Sequence, residues 1–168
     1  MSTPLAAIRL LALDVDGVLT DGRLWYSESA GEIKTFYAHD GAGLKQVMRN
    51  GIAVALITAR QSPIVTRRAE ELGIEHVFQG VTDKGRCLGG FLEEVGIKPA
   101  FSAYMGDDEA DLPAFEIAGL RIAPANAVAR VRDEADWCTQ ARGGEGAVRE
   151  VCDRLLAARA ADADSSSK

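Results

Sequence analysis

The chain is poor in the residues that build covalent or soft-metal frameworks. It has three cysteines among 168 residues, Cys87, Cys138 and Cys152, and no CxxC pair. The odd count and wide spacing argue against a disulfide framework and against a cysteine zinc site. Three buried free thiols are expected instead. Only two histidines are present, His39 and His76. No metal spacing links them, and both are read as structural. Positive charge is also short: 19 Lys and Arg stand against 25 Asp and Glu, for a net charge of -6. That balance argues against a nucleic-acid partner, because phosphate backbones attract clustered Lys and Arg. No uninterrupted apolar run approaches the roughly 20 residues of a membrane span. Met1 to Arg9 lacks the basic start and long apolar run of a signal peptide. The expectation is a protein without membrane contact, in a reducing cytoplasm.

What is present is ordinary globular composition. The hydrophobic share of 47% is typical of soluble domains. A chain of this length suffices for one α/β domain, burying roughly 70% of the surface its unfolded form exposes. Residues 1–160 are expected to form that single domain. Residues 161–168, small and polar, are expected to be a frayed tail.

Apolar runs alternate with helical patterns. Ile8–Val15, Ala53–Thr58, His76–Phe78, Phe101–Met105, Leu120–Ala123 and Ala135–Cys138 read as strands. Helices are expected over 42–50, from Ser62-Pro63 to Leu72, over Asp83–Glu94 and Ala110–Ile117, briefly over Val128–Asp133, and from Glu145 to about Ala160. Asp40 is placed to cap the first. Two β-prone runs, Leu24–Ser27 and Ile33–Tyr37, flank a polar turn and suggest a hairpin, with Gly31 free to take positive φ. Most strands are apolar on both faces, which is the pattern of a Rossmann-like parallel sheet with helices on both faces. Right-handed crossovers then bring the loops after the strands to one sheet edge, where ligands bind.

Those loops hold the chemistry. Asp14-Val15-Asp16-Gly17 follows the first strand, Thr58 ends the second, and Gly106-Asp107-Asp108-Glu109-Ala110-Asp111 follows the Phe101–Met105 strand. Lys84 opens a helix between them. Taken singly, each has a plain reading: a cap, a solvated turn, a strand-end threonine, a surface lysine. Together they offer hard carboxylate oxygens with no His or Cys, a donor set that suits Mg²⁺. A hydroxyl, an ammonium and free backbone N–H groups are there to hold phosphate oxygens. Phosphoryl transfer depends largely on positioning and charge neutralisation, and this set provides both.

At these residues the chain resembles the haloacid dehalogenase superfamily, whose motifs are DxD, a strand-end Ser/Thr, a Lys and a terminal acidic pair. Within it the chain is similar to phosphatases of eight-carbon keto-sugar acid phosphates in lipopolysaccharide precursor synthesis. The likeness runs from about Leu11 to Leu156. It is carried by Asp14–Gly22, Asp40-Gly41-x-Gly43, Val77–Gly80, Gly106–Pro113 and Gly143–Glu150. The resemblance implies that Asp14 is the nucleophile and forms an aspartyl-phosphate. It implies that Asp16 protonates the leaving alkoxide and then activates water. Mg²⁺ is implied on the Asp14 carboxylate, the Asp16 main-chain carbonyl and the Asp107 carboxylate, with Asp108 supporting the metal. Thr58 and Lys84 are implied as phosphate ligands, with Asp111 orienting Lys84.

Neither Thr20–Asp40 nor Thr58–Lys84 has room for an inserted cap domain. The expectation is therefore a capless haloacid dehalogenase fold with a protruding β-hairpin. Trp25, Tyr26, Phe36 and Tyr37 make that hairpin ready to pair with another chain. The resemblance implies a homotetramer with hairpins at its centre, a neighbouring subunit closing each site. Arg60 and Arg68 are expected to bind the sugar-acid carboxylate. The flexible Gly143–Glu150 segment is implied to fold over a site, Arg142 and Arg149 adding positive charge. Two positions depart from the family pattern. Ala59 stands where Gly is common, and Asn126 stands where Asp is usual, with no role assigned to it. The alternatives are a phosphatase for a nine-carbon sugar acid 9-phosphate, a noncatalytic assembly protein, and a mutase, which would need a cap.

Overall fold

A computed structural model describes residues 5–29 and 31–166. The first strand, β1 (Leu10–Leu13), is buried at every residue, as a short apolar run that stops at a carboxylate should be. It pairs in parallel with β4 (Ala53–Ile57) on one side and β6 (Ser102–Met105) on the other. β5 (His76–Phe78) lies outside β4. β7 (Leu120–Ala123) and β8 (Trp137–Cys138) lie outside β6. The order is β5-β4-β1-β6-β7-β8, parallel throughout.

Alternation along the strands divides the core into two layers. Leu11, Leu13, Val54, Leu56 and Met105 face α1 (Ala38–Arg49), α2 (Pro63–Leu72) and α6 (Ala147–Ser166) through Leu44, Val47, Val65, Val148 and Leu155. Leu10, Ala12, Ala55, Ile57 and Tyr104 face α3 (Lys84–Glu94), α4 (Leu112–Ile117) and α5 (Ala129–Glu134) through Leu88, Phe91, Phe115 and Val131. The expected parallel sheet with helices on both faces is thus present. Its strand order reverses between β1 and β6. Asp14 follows one of those strands and Gly106-Asp107 the other, at the edge where such sheets bind ligands.

The hairpin is β2 (Trp25–Ser27) and β3 (Gly31–Ile33), antiparallel, with Trp25 opposite Ile33 and Tyr26 opposite Glu32. It forms a separate two-stranded sheet. Gly31 has φ +73°, as its turn position requires. The second strand spans 31–33 rather than the expected 33–37, because pairing starts directly at the turn.

Other expectations are corrected. α1 begins at Ala38, four residues early, and Asp40 does not cap it. The Asp40 carboxylate instead accepts from the backbone N–H of Arg149 at 2.8 Å, in the first turn of α6. The free N–H groups of a neighbouring helix end attract a buried carboxylate as well as its own would. α6 continues to Ser166 instead of fraying near Ala160. Its alanine-rich 157–163 stretch is a strong helix former. Arg159 ties this part of the helix to the carbonyls of Asn50 and of Ile8, the latter at 2.8 Å. Only residues 167 and 168 of the expected tail lie outside the described residues. Of the three free thiols only Cys152 is buried. Cys138 sits on the edge strand and is exposed, and Cys87 borders a surface groove.

Candidate active site

At the carboxyl ends of β1, β4 and β6 lies an open cavity of about 290 Å³. Asp14, Asp16, Thr58, Ala59, Arg60, Lys84, Asp107 and Asp108 line it. The three loops meet there through tight backbone geometry. Past β1 the chain turns so that the N–H groups of Leu19 and Thr20 return to the Val15 carbonyl. The Thr20 hydroxyl accepts from Gly17 and Gly22 N–H at 3.3 and 3.2 Å. Gly17 has φ +86°, and a Cβ there would stand 1.9 Å from Asp107 Oδ2. Only glycine lets the first and third loops approach this closely.

Lys84 is buried at the first position of α3, which Asp83 caps by accepting from Arg86 N–H. Its Nζ stands 2.8 Å from Asp14 Oδ2 and 2.6 Å from Asp111 Oδ1. Asp111 is fully buried and receives four donors. Lys84 and the Tyr104 hydroxyl (2.8 Å) reach Oδ1, and the backbone N–H groups of Asp107 (2.9 Å) and Asp108 (3.1 Å) reach Oδ2. Charge-assisted bonds of this kind hold Lys84 facing Asp14.

The charges are imbalanced toward acid. Burial, then repulsion from Asp111, pushes Asp14 up to about 6 against the pull of Lys84. Burial, then Asp14, Asp111 and Asp108, pushes Asp107 up to about 7. Burial draws the Lys84 ammonium down, but Asp14 and Asp111 outweigh it and hold its pKa above the ordinary value. Carboxylate oxygens of Asp14, Asp107 and Asp111 lie within 4.8 Å of one another. Asp111 is already saturated by its donors, which leaves Asp14 and Asp107 as the pair suited to a hard divalent cation. An oxygen-only donor set with excess negative charge fits Mg²⁺. Asp108 also lines the cavity, and its exposed carboxylate caps the short 3-10 turn Glu109–Asp111, accepting from Glu109 N–H at 2.7 Å.

Arg60 borders the cavity, its Nη2 2.6 Å from Glu32 Oε1. Arg68 does not reach it within this chain. It stacks over the Phe36 ring, 5.5 Å from the centroid, and pairs with Glu71 at 3.4 Å. It lies along α2 on the face toward α1, where a Cβ on Gly41 would touch it. Arg142 and Arg149 also stay outside the cavity lining, and Arg149 pairs with Asp153. The Gly143-Gly144 backbone packs on the Gly17–Asp21 turn of its own chain, with Gly144 N–H donating to the Val18 carbonyl at 3.1 Å.

Three residues of this region were given no role by the sequence reading. Lys34 contacts Asp16 at 2.5 Å. Tyr104 holds Asp111, and its signal was available: a phenol in a wholly buried strand needs a partner for its hydroxyl. Asn126 joins the first loop to the Gly143 segment, and nothing in its loop context marks it.

This cavity and its aspartate–lysine cluster, at the switch point of a parallel sheet, define a haloacid dehalogenase-like hydrolase. Residues 74–151 match that family. The chain is 44% identical over 152 residues to the 3-deoxy-D-manno-octulosonate 8-phosphate phosphatase of Escherichia coli K12, covering 90% of this chain and 81% of that protein. The structure of the corresponding phosphatase from Moraxella catarrhalis, solved with magnesium, phosphate and KDO, superposes with a TM-score of 0.91 at 43% identity, over 98% of this chain and 95% of that one. A cobalt-bound structure from Haemophilus influenzae gives 0.90 at 39% identity, over 94% and 92%. The chain belongs to the 3-deoxy-D-manno-octulosonate 8-phosphate phosphatase family.

Proposed function

We infer that this protein hydrolyses 3-deoxy-D-manno-octulosonate 8-phosphate to the free sugar acid and phosphate, with Mg²⁺, as a step of lipopolysaccharide precursor synthesis. One observation carries the reading: Asp14, Lys84 and Asp107 converge on one cavity in a chain with near full-length likeness to these phosphatases. The noncatalytic alternative would not need to keep that set.

In the proposed mechanism an Asp14 oxygen attacks phosphorus as the bond to the sugar oxygen breaks. Asp16 gives its proton to that oxygen. Water then attacks the aspartyl-phosphate and loses its proton to Asp16. Phosphate leaves and the Asp14 carboxylate is restored. Thr58 and Lys84 hold the phosphate oxygens, and Asp111 with Tyr104 fixes Lys84. The Asp14 and Asp107 carboxylates and the Asp16 carbonyl would hold Mg²⁺, which supplies charge neutralisation for the phosphate and its nucleophile. Arg60 stands at the rim as the partner of the sugar-acid carboxylate.

The site is open on this chain. Leu24, Trp25, Tyr26 and Ile33 are exposed on the hairpin, Trp25 by 55% and Tyr26 by 69%. A large apolar tip on a two-stranded sheet is marginal alone, which supports a homotetramer in which a neighbour closes the site. Among the described residues no helix is long and apolar enough to cross a membrane. The proposed compartment is the cytoplasm.

A phosphate-release screen over sugar phosphates with Mg²⁺ tests the substrate. The eight-carbon acid 8-phosphate should lead. Equal rates on unrelated phosphomonoesters, or a faster nine-carbon acid 9-phosphate, would overturn the assignment. Asp14→Asn should fold and assemble but lose turnover. A variant that still turns over would remove Asp14 as nucleophile.

A further inference from the structure

Between the hairpin and the cavity stands a closed ring of four charged side chains. Lys34 Nζ lies 2.5 Å from Asp16 Oδ1 and 3.3 Å from Glu32 Oε1. Glu32 Oε1 accepts from Arg60 Nη2 at 2.6 Å, and Arg60 Nε lies 3.6 Å from Asp16 Oδ2. Signs alternate around the ring. Its two cations are unequal. The Arg60 side chain is 40% exposed and its Nε is beyond hydrogen-bond reach of Asp16. The Lys34 side chain is 3% exposed and its contact with Asp16 is short. A buried ammonium needs its charge compensated. Lys34 finds compensation in Asp16 and Glu32, so its place and that of the Asp16 carboxylate are tied.

The consequence concerns proton transfer. A general acid acts only within about 2.6–3.2 Å of the oxygen it protonates. A half-buried aspartate at a cavity rim has other rotamers open to it. With Oδ1 held by Lys34, Oδ2 is the oxygen left to carry the proton and release it to the leaving group.

We propose that Lys34 is a positioning residue for the reaction, its ammonium fixing the Asp16 carboxylate where the alcohol departs. The proposal rests on the acid–base reading of Asp16. Lys34 keeps its own protons throughout. The one proton that moves in the first step passes from Asp16 Oδ2 to the sugar oxygen as the phosphorus–oxygen bond breaks. Lys34 directly follows β3, so the hairpin that offers an apolar surface to a neighbour also sets the acid.

The test is the dependence of kcat/KM on leaving group, because kcat/KM reports steps only through departure of the alcohol. Aryl phosphates from p-nitrophenyl to phenyl phosphate suit it: none carries a carboxylate for Arg60, and poorer leaving groups need more proton transfer. Lys34→Met should lose about tenfold or more additional kcat/KM on phenyl phosphate than on p-nitrophenyl phosphate, within the range that general acids contribute. Lys34→Arg should recover part of that difference. Asp16→Asn, run alongside, should show the same steepening more strongly. Both substrates are read on one preparation, so the ratio is independent of the fraction folded, and Lys34→Gln repeats the comparison. A Lys34→Met loss equal across the series, beside a steepened Asp16→Asn series, would overturn the positioning role. A flat Asp16→Asn series would instead overturn the acid–base reading, and the proposal with it.

Discussion

The side-chain amide of Asn126 donates to the Gly17 carbonyl at 2.9 Å, across 109 positions of sequence. Its oxygen accepts from Gly143 N–H at 2.6 Å. One side chain thus ties the loop that carries Asp14 and Asp16 to the segment before α6. Both ends are partly buried, so removing them leaves a donor and an acceptor unpaired. Asn126→Ala should lower unfolding free energy by about 1–3 kcal/mol in a urea titration. Asn126→Asp, the residue usual in the family, keeps the acceptor for Gly143 and should lose less. Equal loss in the two variants would place the stabilisation on the Gly17 bond alone.

Glycine tolerance separates Gly143 from Gly89. A Cβ on Gly143 would stand 1.9 Å from the Gly17 carbonyl oxygen, a backbone atom that cannot turn aside. Gly89, inside α3, has nothing within 4 Å of the same atom. Gly143→Ala should displace the Asp14–Gly17 turn and lower both turnover and melting temperature. Gly89→Ala should stabilise by about 0.5–1 kcal/mol, the helix-interior difference between the two residues, with turnover unchanged. Thermal melts and phosphate-release rates on the two variants check the contrast.

The sheet was readable because its strands are apolar on both faces and each ends at a breaker or a carboxylate. Asp14, Asp16, Thr58, Lys84 and Asp107 could be picked out because strand ends fix where loops gather, and all five line the one cavity. What escaped depends on contacts between distant segments. Asp40 looks like a local cap, yet its partner is in α6. Asp108 is expected only to support the metal, and its closing of its own turn shows only in the structure. Arg68 lies eight positions after Arg60, but α2 carries it to the Phe36 ring and away from the cavity of its own chain. Lys34 is one polar residue in a β-prone run, and only the fold of the hairpin brings it to Asp16.

The raised carboxylates give magnesium binding a definite pH dependence. Asp107 sits at about 7 and Asp14 at about 6, both above the ordinary 3.8, through burial first and then repulsion, from Asp14 and Asp111 on Asp107 and from Asp111 on Asp14. A carboxylate whose folded pKa is raised binds protons more tightly in the folded state. Its contribution to metal-free stability is full below the unfolded pKa and is lost as pH rises through the folded value. The metal-free protein should therefore melt at progressively lower temperature from about pH 5 to about pH 8, over the window those values define. Mg²⁺ needs the ionised forms, so its affinity should rise over the same window, with protons released on binding. Its stabilising effect on the melting temperature should be larger at the alkaline end. Calorimetric titrations in buffers of different ionisation enthalpy count the protons. Asp107→Asn removes one of the repelling charges. That variant should melt higher than the parent without metal at the alkaline end and gain less from Mg²⁺. Magnesium affinity that stays constant across the window would show that Asp14 and Asp107 are not the groups that bind it.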